Sequence, residues 1–145
     1  MDINGIAHVI LTAGDFEKST NFYRAFLPFL GMTLVVDTEF MLYGVGARTA
    51  IGVRPPSEAH KGEKFVQERT GLHHLCYRAR DRASIDEAHK WLKDHGVTIV
   101  HAPEDGPWAP GYYSILFEDP DGVRLEINHV PGKGLFETGG KMETY

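Results

Sequence analysis

The strongest constraint on this chain is that it repeats itself. Gly5-Ile6-Ala7-His8-Val9-Ile10-Leu11 reads G-x-x-H followed by apolar residues, and Gly71-Leu72-His73-His74-Leu75-Cys76-Tyr77 reads the same way, with His74 66 residues after His8. Each stretch is short, apolar and without helical period, so each predicts a strand. Each is followed by a segment with helical spacing. The first opens near Asp15, carries Phe16, Phe22, Tyr23, Phe26, Leu27 and Leu30, meets Pro28 in its last turn and ends at Gly31. The second opens near Ser84, with Glu87 three residues on as a capping box, carries Ile85, Ala88, Trp91, Leu92 and His95, and ends at Gly96. The two terminal glycines are 65 residues apart. Two independent landmarks thus give the same repeat length to within one residue, which defines a two-module architecture.

Further strands follow each helix. The first half predicts Met32–Asp37, Glu39–Tyr43 and Thr49–Arg54, with a turn at Tyr43-Gly44-Val45-Gly46. The second predicts Val97–Ala102, Tyr112–Glu118 and Val123–His129, with a turn at Asp119-Pro120-Asp121-Gly122. Each half is β-α-β-β-β, an α+β arrangement. Module one covers about 3–56, a polar linker 57–70, module two about 71–131, and a tail 132–145 follows; all of it forms one domain of ordinary size.

Composition narrows the function classes. Twenty acidic against 15 basic residues give a net charge of −5, and the basic residues are scattered, which argues against nucleic acid or an anionic membrane as partner. No apolar run approaches the roughly 18 residues of a membrane span, and the N-terminus lacks the marks of a signal peptide. The single cysteine, Cys76, excludes an intrachain disulfide, so a reducing cytoplasm is the expected compartment. Eight histidines are the one oddity, and histidine is the commonest metal ligand.

The last strand adds a second clue. Val123, Leu125 and Ile127 alternate with Arg124, Glu126 and Asn128, so one face is apolar and the other polar. A polar face in such a strand points to a wet cavity, and a histidine among apolar neighbours, as at His8 and His74, requires a polar partner.

These residues resemble the vicinal oxygen chelate superfamily, which includes glyoxalases, extradiol dioxygenases, thiol transferases and bleomycin-binding proteins. The marks are the two G-x-x-H strand starts, Phe22-Tyr23-Arg24, Gly111-Tyr112-Tyr113, and the run Phe117-Glu118-Asp119-Pro120-Asp121-Gly122-Val123-Arg124-Leu125-Glu126. The resemblance implies paired βαβββ modules forming a cupped mixed sheet with helices outside. It implies one divalent metal ion (Fe, Mn, Zn and Ni are not distinguished) held by His8, His74 and Glu126. The corresponding strand of module one, Thr49–Arg54, offers no ligand, so the centre has three protein ligands and room for substrate. That pattern resembles the dioxygenases and thiol transferases of the group more than the glyoxalase-type isomerases, but ring-cleaving oxygenation, thiol addition and isomerase or lyase chemistry all use such a centre. A small-molecule substrate and a homodimer are also implied. The alternative is a non-catalytic, drug-binding member.

Other residues carry two readings each. His101 is a general base or a surface histidine. One of Tyr112 and Tyr113 reaches a substrate and the other packs, Tyr113 being the catalytic candidate. Arg124 holds an anionic substrate or pairs with Glu126. Trp108 walls a pocket or anchors its loop. His73, on the opposite strand face from His74, is structural, and Cys76 is a small packed thiol.

Overall fold

The computed structural model describes residues 1–134 and Phe136. Most of the expected tail, 135 and 137–145, lies outside the described residues. The chain divides into two compact units, Met1–Phe65 and Val66–Tyr145, with the division inside the stretch 57–70. Both have the expected βαβββ order.

In the first unit, β1 (His8–Thr12), α1 (Phe16–Phe29), β2 (Thr33–Asp37), β3 (Leu42–Gly46) and β4 (Thr49–Arg54) build a four-stranded sheet ordered β1-β4-β3-β2. β1 runs parallel to β4 and the other neighbours are antiparallel. The Asp15 side chain caps α1 by accepting from the Lys18 amide at 3.0 Å. α1 lays Tyr23, Phe26 and Leu27, all fully buried, on the sheet, where Leu42, Ile51 and Val53 meet them. Each such side chain contributes on the order of 1.5–3 kcal/mol by leaving water.

In the second unit, β5 (Leu75–Arg78), α2 (Arg82–Asp94), β6 (Ile99–Asp105), β7 (Tyr113–Glu118) and β8 (Arg124–His129) repeat the pattern in the order β5-β8-β7-β6, with β5 parallel to β8. Ile85, Ala88 and Leu92 of α2 are buried, as are Ile115, Phe117, Leu125 and Ile127 of the sheet.

Three local expectations are corrected. β3 begins later than expected, because Glu39–Met41 form a turn: the Thr38 hydroxyl accepts from the Phe40 and Met41 amides, both at 3.2 Å. The expected turn at Tyr43–Gly46 is strand. The real reversal is Ala47-Arg48, both at positive φ (48° and 66°), as a two-residue hairpin turn requires. Gly44 and Gly46 instead make room for the helix side: a Cβ on Gly44 would lie 2.9 Å from Leu27 Cδ1, and one on Gly46 3.1 Å from Met32 Cγ. The cap of α2 is Asp81 rather than Ser84. Asp81 Oδ1 accepts from both the amide and the hydroxyl of Ser84 at 2.8 Å. Among the described residues no helix is long and apolar enough to cross a membrane.

Candidate functional site

β8 presents Leu125 and Ile127 to the helix side of its sheet and Glu126 to the other, as the alternation predicts. Strand register places Cys76, Glu126, Leu116 and His101 in one row across the sheet. Glu126 is only 8 % exposed. Both its oxygens are engaged. Oε1 accepts from the Tyr112 hydroxyl at 2.5 Å, and Oε2 lies 3.2 Å from His74 Nε2.

His74 is tied at its other nitrogen. Its Nδ1 lies 2.8 Å from His73 Nδ1, which in turn lies 3.3 Å from Gln67 Nε2. Gln67, His73 and His74 thus form one chain of polar contacts that leads to Glu126. His74 Nε2 is the ring nitrogen that faces the carboxylate. His73 thus supports His74 instead of pointing to the opposite face. Both residues precede β5, where strand alternation has not yet begun.

This donor pair fits a divalent ion. Metal–ligand bonds of about 2.0–2.2 Å at 90–110° put two ligand atoms about 2.9–3.5 Å apart, and the His74–Glu126 separation of 3.2 Å lies within that span. Among the described residues no group of three or more His, Cys, Asp or Glu side chains forms a cage. His8 lies in the other unit, exposed at the start of β1 and opposite Ala50.

The first unit repeats the local pattern with a change. His8 stands two residues before Ile10, which pairs with Gly52; His74 stands two before Cys76, which pairs with Glu126. Gly52 therefore holds the place of Glu126. That place is also covered, since a Cβ on Gly52 would lie 2.5 Å from Ile10 Cδ1 and 3.0 Å from Tyr43 Cδ2.

The remaining candidates separate. Tyr112, on the Glu126 face, has its phenol raised well above the usual range, first by desolvation and then by the Glu126 carboxylate. The Cys76 thiol is likewise raised by desolvation and by Glu126, although the residue as a whole is exposed. Trp108 and Tyr112 both close on Gly106, whose Cβ would lie 3.0 and 2.9 Å from their rings. Tyr113 points to the helix side, where its hydroxyl donates to Asp86 at 2.7 Å and the Arg82 guanidinium covers its ring at 3.7 Å. Arg124 pairs with Glu118 at 3.1 Å, its cross-strand neighbour, and not with Glu126. His101 shares the Glu126 face but stands two strands away, roughly 10 Å by strand spacing, and its Nδ1 lies 3.0 Å from the Ala102 carbonyl.

Each unit is a mixed βαβββ sheet, and the second brings a histidine and a carboxylate together. The chain belongs to the Glyoxalase/Bleomycin resistance protein/Dioxygenase superfamily, whose model matches residues 5–127. It is similar to the glyoxalase domain-containing protein RDO1 of Mycosarcoma maydis, with 28% identity over 88% of this chain and 69% of that protein. It is also similar to the metallothiol transferase FosB of Staphylococcus saprophyticus, with 24% identity over 87% of this chain and 77% of the other. A crystal structure assigned as a glyoxalase of Bacillus halodurans superposes with a TM-score of 0.75 and 27% identity, covering 88% of this chain and 96% of that one.

Proposed function

We propose that the protein is a divalent-metal-dependent enzyme acting on a small molecule that chelates through two adjacent oxygens or an oxyanion. The observation that carries this reading is the pair His74 Nε2 and Glu126 Oε2, two atoms of metal-ligand type 3.2 Å apart, each on a side chain also held at its other polar atom. The family resemblance adds His8, which holds in the first unit the place that His74 holds in the second, as a further ligand. The metal supplies Lewis acidity for oxygens that gain negative charge.

The protein residues prepare that chemistry. His74 offers an imidazole nitrogen, as His8 does by the resemblance, and Glu126 offsets part of the metal charge. Gly52, covered by Ile10, adds no fourth ligand, which leaves coordination positions for substrate. Tyr112 meets the carboxylate, and Trp108 packs with it against Gly106. The three-ligand set and the metallothiol transferase relatives favour group transfer or oxygenation over glyoxalase-type isomerisation, which would need a ligand or base at Gly52. A homodimer is the assembly that the family resemblance implies.

The test is metal-dependent turnover. Protein stripped and reloaded with Mn²⁺, Fe²⁺, Zn²⁺ or Ni²⁺ is assayed for thiol consumption with oxyanion-bearing electrophiles and for oxygen uptake with catechols. Turnover that requires the metal supports the reading, and the co-substrate consumed distinguishes the two reactions. A protein that takes up no divalent metal contradicts it and favours a drug-binding role, for which the packing of Trp108 and Tyr112 on Gly106 is the supporting feature.

A further inference from the structure

Glu126 is a carboxylate with two oxygens, and nothing in its covalent structure decides whether a metal takes one or both. The surrounding chain does. Oε2 faces His74 Nε2, while Oε1 receives the Tyr112 hydroxyl. Tyr112 cannot swing away freely. Its backbone amide donates to the Ala109 carbonyl at 3.0 Å, and its carbonyl accepts from the Gly106 amide at 3.0 Å. Its ring also packs so closely on Gly106 that a Cβ there would lie 2.9 Å from Cδ1. The phenol is therefore held from both ends, by its own loop and by the carboxylate.

We propose that Tyr112 is a positioning residue that restricts Glu126 to one-oxygen ligation of the metal, and so keeps an additional coordination position open for substrate. This rests on the metal reading above. A carboxylate bound through both oxygens fills two positions of a small ion; bound through one, it fills a single position. Donation from Tyr112 also draws charge from the free oxygen and fixes the carboxylate plane. Partners of this kind change metal affinity by roughly 10–100-fold when removed.

The experiment is a Co²⁺ titration of the full chain as wild type, Tyr112→Phe, Tyr113→Phe and Glu126→Ala. Affinity is followed together with the visible d–d absorption, whose intensity falls as coordination number rises, and with the infrared splitting of the carboxylate stretches. Tyr112→Phe should bind Co²⁺ more weakly by roughly ten-fold or more, with a weaker d–d band and the narrower splitting of a bidentate carboxylate. Tyr113→Phe should match wild type in all three readings, which excludes a general effect of losing a hydroxyl from this region. Glu126→Ala should lose the carboxylate signature. A Tyr112→Phe protein with wild-type affinity, band intensity and splitting overturns the proposal while leaving the metal site standing. Absence of Co²⁺ binding by wild type overturns both readings at once.

Discussion

Ile10 lies across Gly52, with its Cδ1 2.5 Å from where a Cβ on that glycine would be. The two residues face each other across the parallel β1–β4 pair, as Cys76 and Glu126 do across β5–β8. The repeat therefore carries a carboxylate in one module and a covered glycine in the other.

Gly52→Ala should accordingly destabilise the protein, by about 1–2 kcal/mol, the usual cost of a modest overpacking. Replacing Ile10 by Val removes the clashing methyl, so the double variant Ile10→Val/Gly52→Ala should recover part of the loss. Thermal denaturation of the four proteins in the cycle measures it. Simple additivity would show that Ile10 and Gly52 do not compete for one space.

The Asp119–Gly122 turn is held from inside. Asp119, 7 % exposed, accepts at one oxygen from the amides of Asp121 (2.9 Å) and Val123 (2.8 Å), which sets the start of β8 and hence the position of Glu126. Asp119→Ala leaves two amides without that acceptor and should cost about 2–4 kcal/mol. Asp119→Asn keeps an acceptor oxygen and should cost less. Urea unfolding distinguishes the two, and equal losses would mean that the turn does not depend on the acceptor.

Acid should weaken the fold through three exposed carboxylates. Asp37 is held below its usual range by the Arg24 side chain, Asp105 by Arg82, and Asp81 by the Ser84 amide and hydroxyl. A lowered folded-state value means that the unfolded chain binds protons more readily. Their stabilisation is complete above the ordinary carboxylate value of 3.8 and declines as pH falls below it. Asp37→Asn should lower the melting temperature at neutral pH and flatten its decline in acid. An unchanged acid limb would show that the Arg24–Asp37 bridge is not coupled to folding.

Much of the fold was legible because its signals are local. Paired G-x-x-H starts, helices ending at Gly31 and Gly96 (φ +78° and +65°), and the alternation in β8 each follow from neighbours in sequence. Errors arose where a residue answers to a distant one. Gly44 and Gly46 read as a turn, but Gly44 makes room for Leu27 of α1 and Gly46 for Met32 just beyond it. Ser84 reads as a cap, but it donates to Asp81. At the site, Glu126 was legible from its strand face, but alternation alone left Tyr112 and Tyr113 open: Tyr112 bonds Glu126, while Tyr113, the catalytic candidate, bonds Asp86 on the helix side. The Gln67–His73–His74 chain was not, because strand alternation, the only rule available for His73, does not hold before β5 begins. Arg124 was assigned to its own strand face, while its partner Glu118 comes from the neighbouring strand.

The proposal of a divalent metal at His74 and Glu126, with His8 as the ligand that the resemblance adds, is tested most directly by elemental analysis. Wild type and the variants His8→Ala, His74→Ala and Glu126→Ala are purified in parallel, dialysed against the same metal-containing buffer and measured for bound divalent ions. The account predicts about one equivalent per chain in the wild type and a marked loss in each variant, with the folded state confirmed by circular dichroism. A wild type without stoichiometric metal, or full retention in all three variants, would contradict it.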